Sequence, residues 1–101
     1  MLVYTPIHGV CNLVKVNYNT KEVEFTFLHT QIRTKNNYKI LRCSELKDTN
    51  GSMIYENNIV SFNDINKIAT VKFINGAFYA DNELLGSVYK HIKIVGWNFD
   101  S

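Results

Sequence analysis

Residues 45–62 read Glu45-Leu46-Lys47-Asp48-Thr49-Asn50-Gly51-Ser52-Met53-Ile54-Tyr55-Glu56-Asn57-Asn58-Ile59-Val60-Ser61-Phe62. The stretch holds a polar turn from Asp48 to Gly51, a short apolar rung (Met53, Ile54, Tyr55), a corner at Asn57-Asn58 and a β-branched strand start at Ile59-Val60. Apolar pieces this short, separated by residues that favour turns, are too brief for helices and read as sharply bent strands. Asn tolerates the left-handed backbone better than most residues, and its side chain can bond the nearby backbone, so the corner at Asn57-Asn58 reads as structural.

Downstream, Asn63 to Asn66 links Phe62 to a strand at Ile68–Ile74. Asn75-Gly76 is the strongest turn signal in the chain, since both central residues of a type I′ turn need positive φ. Residues 77–80 pair back across it. Leu84, Leu85, Val88, Tyr89 and Ile92 recur at helical spacing, with Asp81 or Asn82 as the expected cap, and Gly86 limits the helix to a turn or two. Residues 92–97 form a closing strand, with Trp97 expected to pack across an open end of the core. Ile59 and Phe73 are expected inside.

Upstream, residues 1–9 contain Pro6, the only proline, and read as a short edge segment because proline cannot donate to a central ladder. Val14, Val16 and Tyr18 are expected on one face of the next strand. Val23, Phe25 and Phe27 alternate with Glu22, Glu24 and Thr26 on the strand after it, and the two strands flank the turn Asn19-Thr20-Lys21 as a hairpin. Residues 29–37 are polar, short of apolar anchors and expected as a loop. Residues 38–43 return to one strand, with Leu41 and Cys43 on its inward face. The whole reads as an all-β chain: about seven short strands in a small, partly open SH3-like barrel with one short helix near the C-terminus.

Composition agrees. A chain of 101 residues, 46% hydrophobic and 20% charged, is expected to fold as one domain (residues 1–101) and not to be disordered. No apolar run approaches the ~20 residues that span a bilayer, and residues 1–14 lack a signal-peptide pattern, so a soluble cytoplasmic protein is expected. Cys11 and Cys43 sit among apolar neighbours and read as reduced thiols.

Leu46-Lys47-Asp48-Thr49-Asn50-Gly51-Ser52-Met53-Ile54-Tyr55-Glu56-Asn57-Asn58-Ile59-Val60 resembles the "gLKDkNGkeIYEGDIV" segment of the YopX family of phage proteins, and residues 91–98 resemble its closing "EVIGNIYEN" strand. The resemblance covers residues 45–98, leaving residues 1–44 as N-terminal strands without a counterpart. Asn57-Asn58 replaces the family's Gly-Asp corner, and the family's "FRAWD" opening is absent. The resemblance implies a YopX-like β-barrel encoded by a phage or prophage gene and expressed in a bacterial host; it brings no enzymatic activity with it.

For chemistry, His8 and Cys11 stand three apart, but a structural zinc site needs two further ligands from paired short spacings. Cys43 lies beside Arg42 without a partnered His. Glu22 and Glu24 read as solubilising charges. No catalytic residue, cofactor or metal ligand is expected. Net charge is only +2, but Arg33, Lys35, Lys39, Arg42 and Lys47 crowd into one segment against Glu45 alone. With Tyr38 among them, and Tyr55 further along, these residues are the candidate binding surface, set against the plain alternative of a solvated exterior. Cations and aromatics suit an acidic protein patch or, as phosphate contacts and stacking platforms, nucleic acid. With the phage resemblance, the expectation is a non-enzymatic protein that binds and blocks a host macromolecule, such as a defence nuclease complex, in the manner of an anti-CRISPR inhibitor. The alternatives are a small nucleic-acid-binding barrel and a self-associating structural component.

Overall fold

The computed structural model describes residues 1–100, which form twelve strands, one four-residue α-helix and a 3-10 turn. The all-β class and the short helix near the C-terminus hold; the strands are more numerous and shorter than the pattern suggested. They belong to two compact units, the first spanning Met1–Leu41 and the second beginning at Arg42.

In the first unit, β1 (Leu2–Thr5), β2 (Gly9–Asn17), β3 (Glu22–Phe27), β4 (Thr30–Thr34) and β5 (Lys39–Leu41) form one antiparallel sheet in the order β4-β3-β2-β1-β5. The β2–β3 hairpin is where the alternation placed it, but its register slips once. Leu13 faces Phe25 and Lys15 faces Glu24, so Val14 is an extra residue, a β-bulge. The bulge reverses the alternation: Cys11 and Leu13 point inward before it and Val16 after it, while Val14 is 51% exposed and Tyr18 81%. Of Val14, Val16 and Tyr18, expected together on one face, only Val16 packs on the core.

The two edge strands are also consecutive in sequence, which constrains the sheet. Thr34 and Lys39 lie on opposite edges, four strand spacings apart, about 19 Å in a flat sheet. They are offset along the strands too: Thr34 leads through Val23 to Val16, and Lys39 leads through Tyr4 to Val10. With the bulged Val14 discounted, that offset adds about 17 Å, so a flat sheet would hold the two residues roughly 25 Å apart. The five residue steps between them reach about 18 Å at most, and Asn37, at φ 56°, shortens the path. The sheet must therefore fold on itself, and the bulge at Val14 supplies the bend, as bulges do at the corners of orthogonally packed sheets. Val3, Cys11, Val23 and Phe25 fill the fold, ringed by Leu13, Val16, Phe27, Ile32, Tyr38 and Ile40. β4 and β5 are not hydrogen-bonded to each other, which leaves an open seam rather than a closed barrel.

Two expectations in this unit are corrected. β1 is an interior strand, between β2 and β5, because Pro6 falls one residue past its end and no ladder N–H is missing. The supposed loop at 29–37 contains β4. Its turn is Leu28-His29, both left-handed at φ 49° and 65°, a two-residue hairpin without the Asn or Gly that usually announces one. An edge strand needs only one inward residue, here Ile32, so its polarity hid it.

The second unit contains the hairpin β6 (Cys43–Lys47) and β7 (Met53–Tyr55), and a second sheet. That sheet comprises β8 (Asn58–Phe62), β9 (Ile68–Ile74), β10 (Ala77–Ala80), β11 (Glu83–Leu84) and β12 (Ile92–Trp97), in the order β11-β10-β9-β8-β12. The helix α1 (Leu85–Val88) and the 3-10 turn Tyr89–His91 lie between β11 and β12. Ile54, Val60, Phe62, Val71, Ala80, Leu85 and Ile92 form the core. The strand expected at 38–43 is broken at Arg42, which separates β5 from β6. Ile59 faces Thr70 on the other side of the sheet from Val60 and is only half-buried. α1 is not capped by Asp81 or Asn82; its N-cap is Leu84, without a side-chain bond. No helix among the described residues is long and apolar enough to cross a membrane.

The residues of the diagnostic stretch hold this unit together. Asp48 is buried, and its Oδ1 accepts the N–H groups of Asn50 and Ser52, each at 2.9 Å. Its Oδ2 accepts the N–H of Ile94, 46 residues away, at 2.8 Å. Burial raises its pKa, but these three backbone bonds outweigh that and hold it below the usual carboxylate range. At the corner, Asn57 takes φ 73° and Asn58 Oδ1 accepts the N–H of Tyr55 at 2.7 Å. Asn57 Nδ2 donates to the Asn98 carbonyl at 2.8 Å, and its N–H donates to the Val71 carbonyl. The corner is a joint between β7, β8, β9 and the end of β12.

Candidate functional site

The basic segment is divided by the fold. Arg33, Lys35, Tyr38 and Lys39 belong to the first unit, and Arg42 and Lys47 to the second. The first unit carries Lys15, Lys21, Arg33, Lys35 and Lys39 against only Glu22 and Glu24, and all five cations are exposed. The acidic surplus belongs to the second unit.

Cross-strand register sorts the first unit's charges. Lys15, Glu24 and Arg33 stand opposite one another on β2, β3 and β4, on the outer face of the sheet. Arg33 Nε donates to Glu24 Oε1 at 2.8 Å, and that bond, with the nearby negative charge, holds the guanidinium still more firmly protonated. With Asn17 and Glu22 these residues line a shallow cleft of about 160 Å³. Arg33 is therefore engaged in a surface of mixed sign.

Lys35 and Lys39 have a different setting. Both are exposed and make no ion pair among the described residues. The backbone between them is tethered at each end. Thr34 Oγ1 donates to the Asn36 carbonyl at 3.0 Å, and Lys39 pairs with Tyr4 in the sheet. Tyr38 packs its ring on the core and donates its hydroxyl to the Lys21 carbonyl at 3.0 Å. Tyr38 is thus the peg that holds the connection down, and its role here is packing rather than stacking. Thr34, Asn36 and Asn37 also form one wall of a cleft of about 190 Å³, whose other wall is Thr5, Pro6, Ile7 and His8.

In the second unit, Arg42 is the most elaborated of the six. Its guanidinium lies 4.5 Å from the centroid of the Phe73 ring, and Phe73 packs on Phe78 with centroids 4.8 Å apart. Arg42 Nη1 stands 3.6 Å from Glu56 Oε1, and the same oxygen accepts the Arg42 backbone N–H at 3.3 Å. The side chain is still 53% exposed. An arginine laid on an aromatic face and steered by one carboxylate keeps part of its donor fork for an incoming acceptor. Lys47 is exposed at the end of β6. Beyond β12, the rings of Trp97 and Phe99 stack with centroids 5.7 Å apart, and Tyr55 lies 6.4 Å from Trp97. Trp97 belongs to this half-buried aromatic group rather than covering the core. Phe78 and Phe99 were not singled out in the sequence; Phe73 was expected inside and is half-buried, with its ring against Phe78 and the Arg42 guanidinium. The local signal that could have found Phe78 is its placement one pair in from the Asn75-Gly76 turn, opposite Phe73.

The histidine and cysteine candidates have structural surroundings. His8 Nδ1 lies 3.0 Å from Thr5 Oγ1, and the His8 ring meets Phe25 and Phe27 edge-on. Cys11 is buried, which pushes its thiol pKa up. Cys43 is half-buried opposite Tyr55, and its Sγ accepts the Glu45 N–H at 3.3 Å. Among the described residues, no three His, Cys, Asp or Glu side chains are gathered closely enough to hold a metal ion. Comparison with family models, with characterised proteins and with solved structures returned no match to this chain.

Proposed function

We propose that this chain is a non-enzymatic binding protein that engages acidic surface of a partner protein, the first unit through Lys35 and Lys39 and the second, independently, through Arg42. The observation that carries the reading is that these cations are held on restrained backbone or an aromatic face while their charged ends stay open. Tyr38 and the Thr34 turn fix the segment bearing Lys35 and Lys39, and Phe73 with Glu56 fixes Arg42. Groups ordered in advance lose less entropy on association, and arginine on an aromatic support is a common interface hot spot. A protein partner is favoured over a phosphate backbone because Glu22 and Glu24 share the outer face with Lys15 and Arg33, and carboxylates there repel a polyanion. The resemblance to phage proteins extends the proposal to a host protein in a bacterial cytoplasm, blocked by occupation of its surface.

The test uses tagged protein, lysate from bacterial cells and two variants, Lys35→Glu/Lys39→Glu and Arg42→Ala, each checked for folding by circular dichroism. Wild type is expected to retain a host protein that both variants release. Equal retention by both variants would remove these residues from the interface. Random single- and double-stranded oligonucleotides are run alongside across a salt series. Tight binding that falls steeply with salt would replace the protein partner with nucleic acid.

A further inference from the structure

We infer that Asn75 is a site of spontaneous chemical modification that converts the β9–β10 turn to an isoaspartyl form, and that Asn50, in the chain's other Asn-Gly pair, is protected. The reaction is intramolecular. The backbone nitrogen of the following glycine loses its proton and attacks the side-chain amide carbon of the asparagine. A C–N bond forms, ammonia leaves, and the five-membered succinimide is opened by water. Opening at one carbonyl gives aspartate; opening at the other gives isoaspartate, in which the main chain runs through the side-chain methylene. No redox partner is needed, and water is the only co-reactant.

Asparagine is among the thermolabile residues, and glycine as the next residue leaves the attacking nitrogen unhindered. Both Asn50-Gly51 and Asn75-Gly76 are exposed and both glycines have positive φ. The structure separates them by what their backbone is tied to. The Gly51 N–H donates to the Asp48 carbonyl at 3.0 Å, and the Asn50 N–H donates to Asp48 Oδ1 at 2.9 Å. Ring closure at Asn50 must break the first bond and displace a residue pinned by the second. Gly76 has neither restraint. The β9–β10 ladder closes at Ile74 and Ala77, so Gly76 lies outside it, and its N–H has no acceptor among the described residues. A Cβ built at Gly76 would meet nothing within 4 Å, so there is open space around the attacking atom.

The position gives the modification a consequence. Asn75 at φ 50° and Gly76 at φ 86° are the two turn residues that set the register of Phe73 opposite Phe78. An isoaspartyl linkage lengthens this two-residue loop by one main-chain atom and adds a carboxylate, so the type I′ geometry is lost. The Phe73–Phe78 pair that supports Arg42 then loosens. This second half rests on the proposed binding role of Arg42; the chemistry at Asn75 does not.

The experiment is incubation of the folded protein at mildly alkaline pH and 37 °C, with peptide mapping by mass spectrometry and an isoaspartate-specific methyl-transfer assay. Asn75 is expected to convert at least about fivefold faster than Asn50, the rate equivalent of one backbone hydrogen bond broken before ring closure. The Asn75→Gly variant keeps a Gly-Gly turn of the same type and should show no methyl acceptance at this hairpin. Equal conversion at the two sites, or conversion at Asn50 alone, would overturn the assignment, as would an Asn75 that stays intact while the same peptide converts in unfolded protein. For the second half, the Arg42 side-chain Hε resonance, shifted by the Phe73 ring, should move toward its random-coil position in aged wild type and stay put in aged Asn75→Gly. An unmoved resonance in modified protein would confine the effect to the turn. Partner capture lost on ageing tests the binding role separately.

Discussion

Replacing Asp48 with Asn isolates the charge that joins the 48–52 turn to β12. The carboxylate accepts three backbone N–H groups, at 2.9, 2.9 and 2.8 Å, from a buried position 7% exposed. Asn keeps one carbonyl oxygen for Asn50 and Ser52, but it presents an N–H₂ toward the Ile94 N–H, where two donors cannot bond. A buried donor left without its acceptor costs about 1–3 kcal/mol, and charged hydrogen bonds exceed neutral ones by about 1 kcal/mol. The sum is a loss of about 2–4 kcal/mol, and Asp48→Ala should lose more. Trp97 lies in the same unit as Asp48, so its fluorescence in urea reads out the relevant transition.

The pH dependence has a fixed sign. Asp48 has a lowered pKa in the folded state, so its stabilising contribution is fully present above the unfolded value of about 3.9. It is lost as pH falls through the lower folded value. The gap between wild type and Asp48→Asn should therefore be wide at pH 7 and shrink steadily below pH ~4. A variant within about 0.5 kcal/mol of wild type at pH 7 would refute the reasoning, since that is the range of inconsequential surface substitutions. So would a gap indifferent to pH.

Other outcomes follow from the same geometry. Val14→Lys should change stability by less than about 0.5 kcal/mol in urea unfolding, because the bulged side chain faces water, whereas deleting Val14 should leave Leu13 and Val16 inward in a regular β2–β3 ladder yet destabilise the first unit by more than that, because the bend supplied by the bulge is lost. Asn57→Ala should be less stable than Asn57→Gly by about 1–2 kcal/mol in paired melts; both remove the bond to Asn98, so the difference reads the left-handed backbone at φ 73° alone. Val60→Asp should unfold the second unit, seen as loss of Trp97 fluorescence order, while Ile59→Asp should be tolerated far better, because Ile59 faces outward from that core.

The sequence by itself determined the all-β class, the β2–β3 hairpin, the type I′ turn at Asn75-Gly76, the structural corner at Asn57-Asn58 and the crowding of cations between Arg33 and Lys47. These are local properties: alternation along a strand, positive φ at Asn and Gly, and charges close in sequence. Only tertiary structure decided the rest. The bulge at Val14 is invisible in alternation, because Val14 and Val16 look alike until a partner strand sets the register. β4 was hidden because an edge strand needs one buried residue and its turn uses Leu28-His29. The basic segment looked continuous, yet the chain passes from one unit to the next at Arg42, and only packing showed which cations are spent. Arg33 is taken by a glutamate across the sheet, Tyr38 by the core, and Arg42 is laid on a phenylalanine from a strand 31 residues on. Local preference fixes what a segment can become, but the side of a strand a residue occupies, and the charge it meets there, depend on contacts distant in sequence.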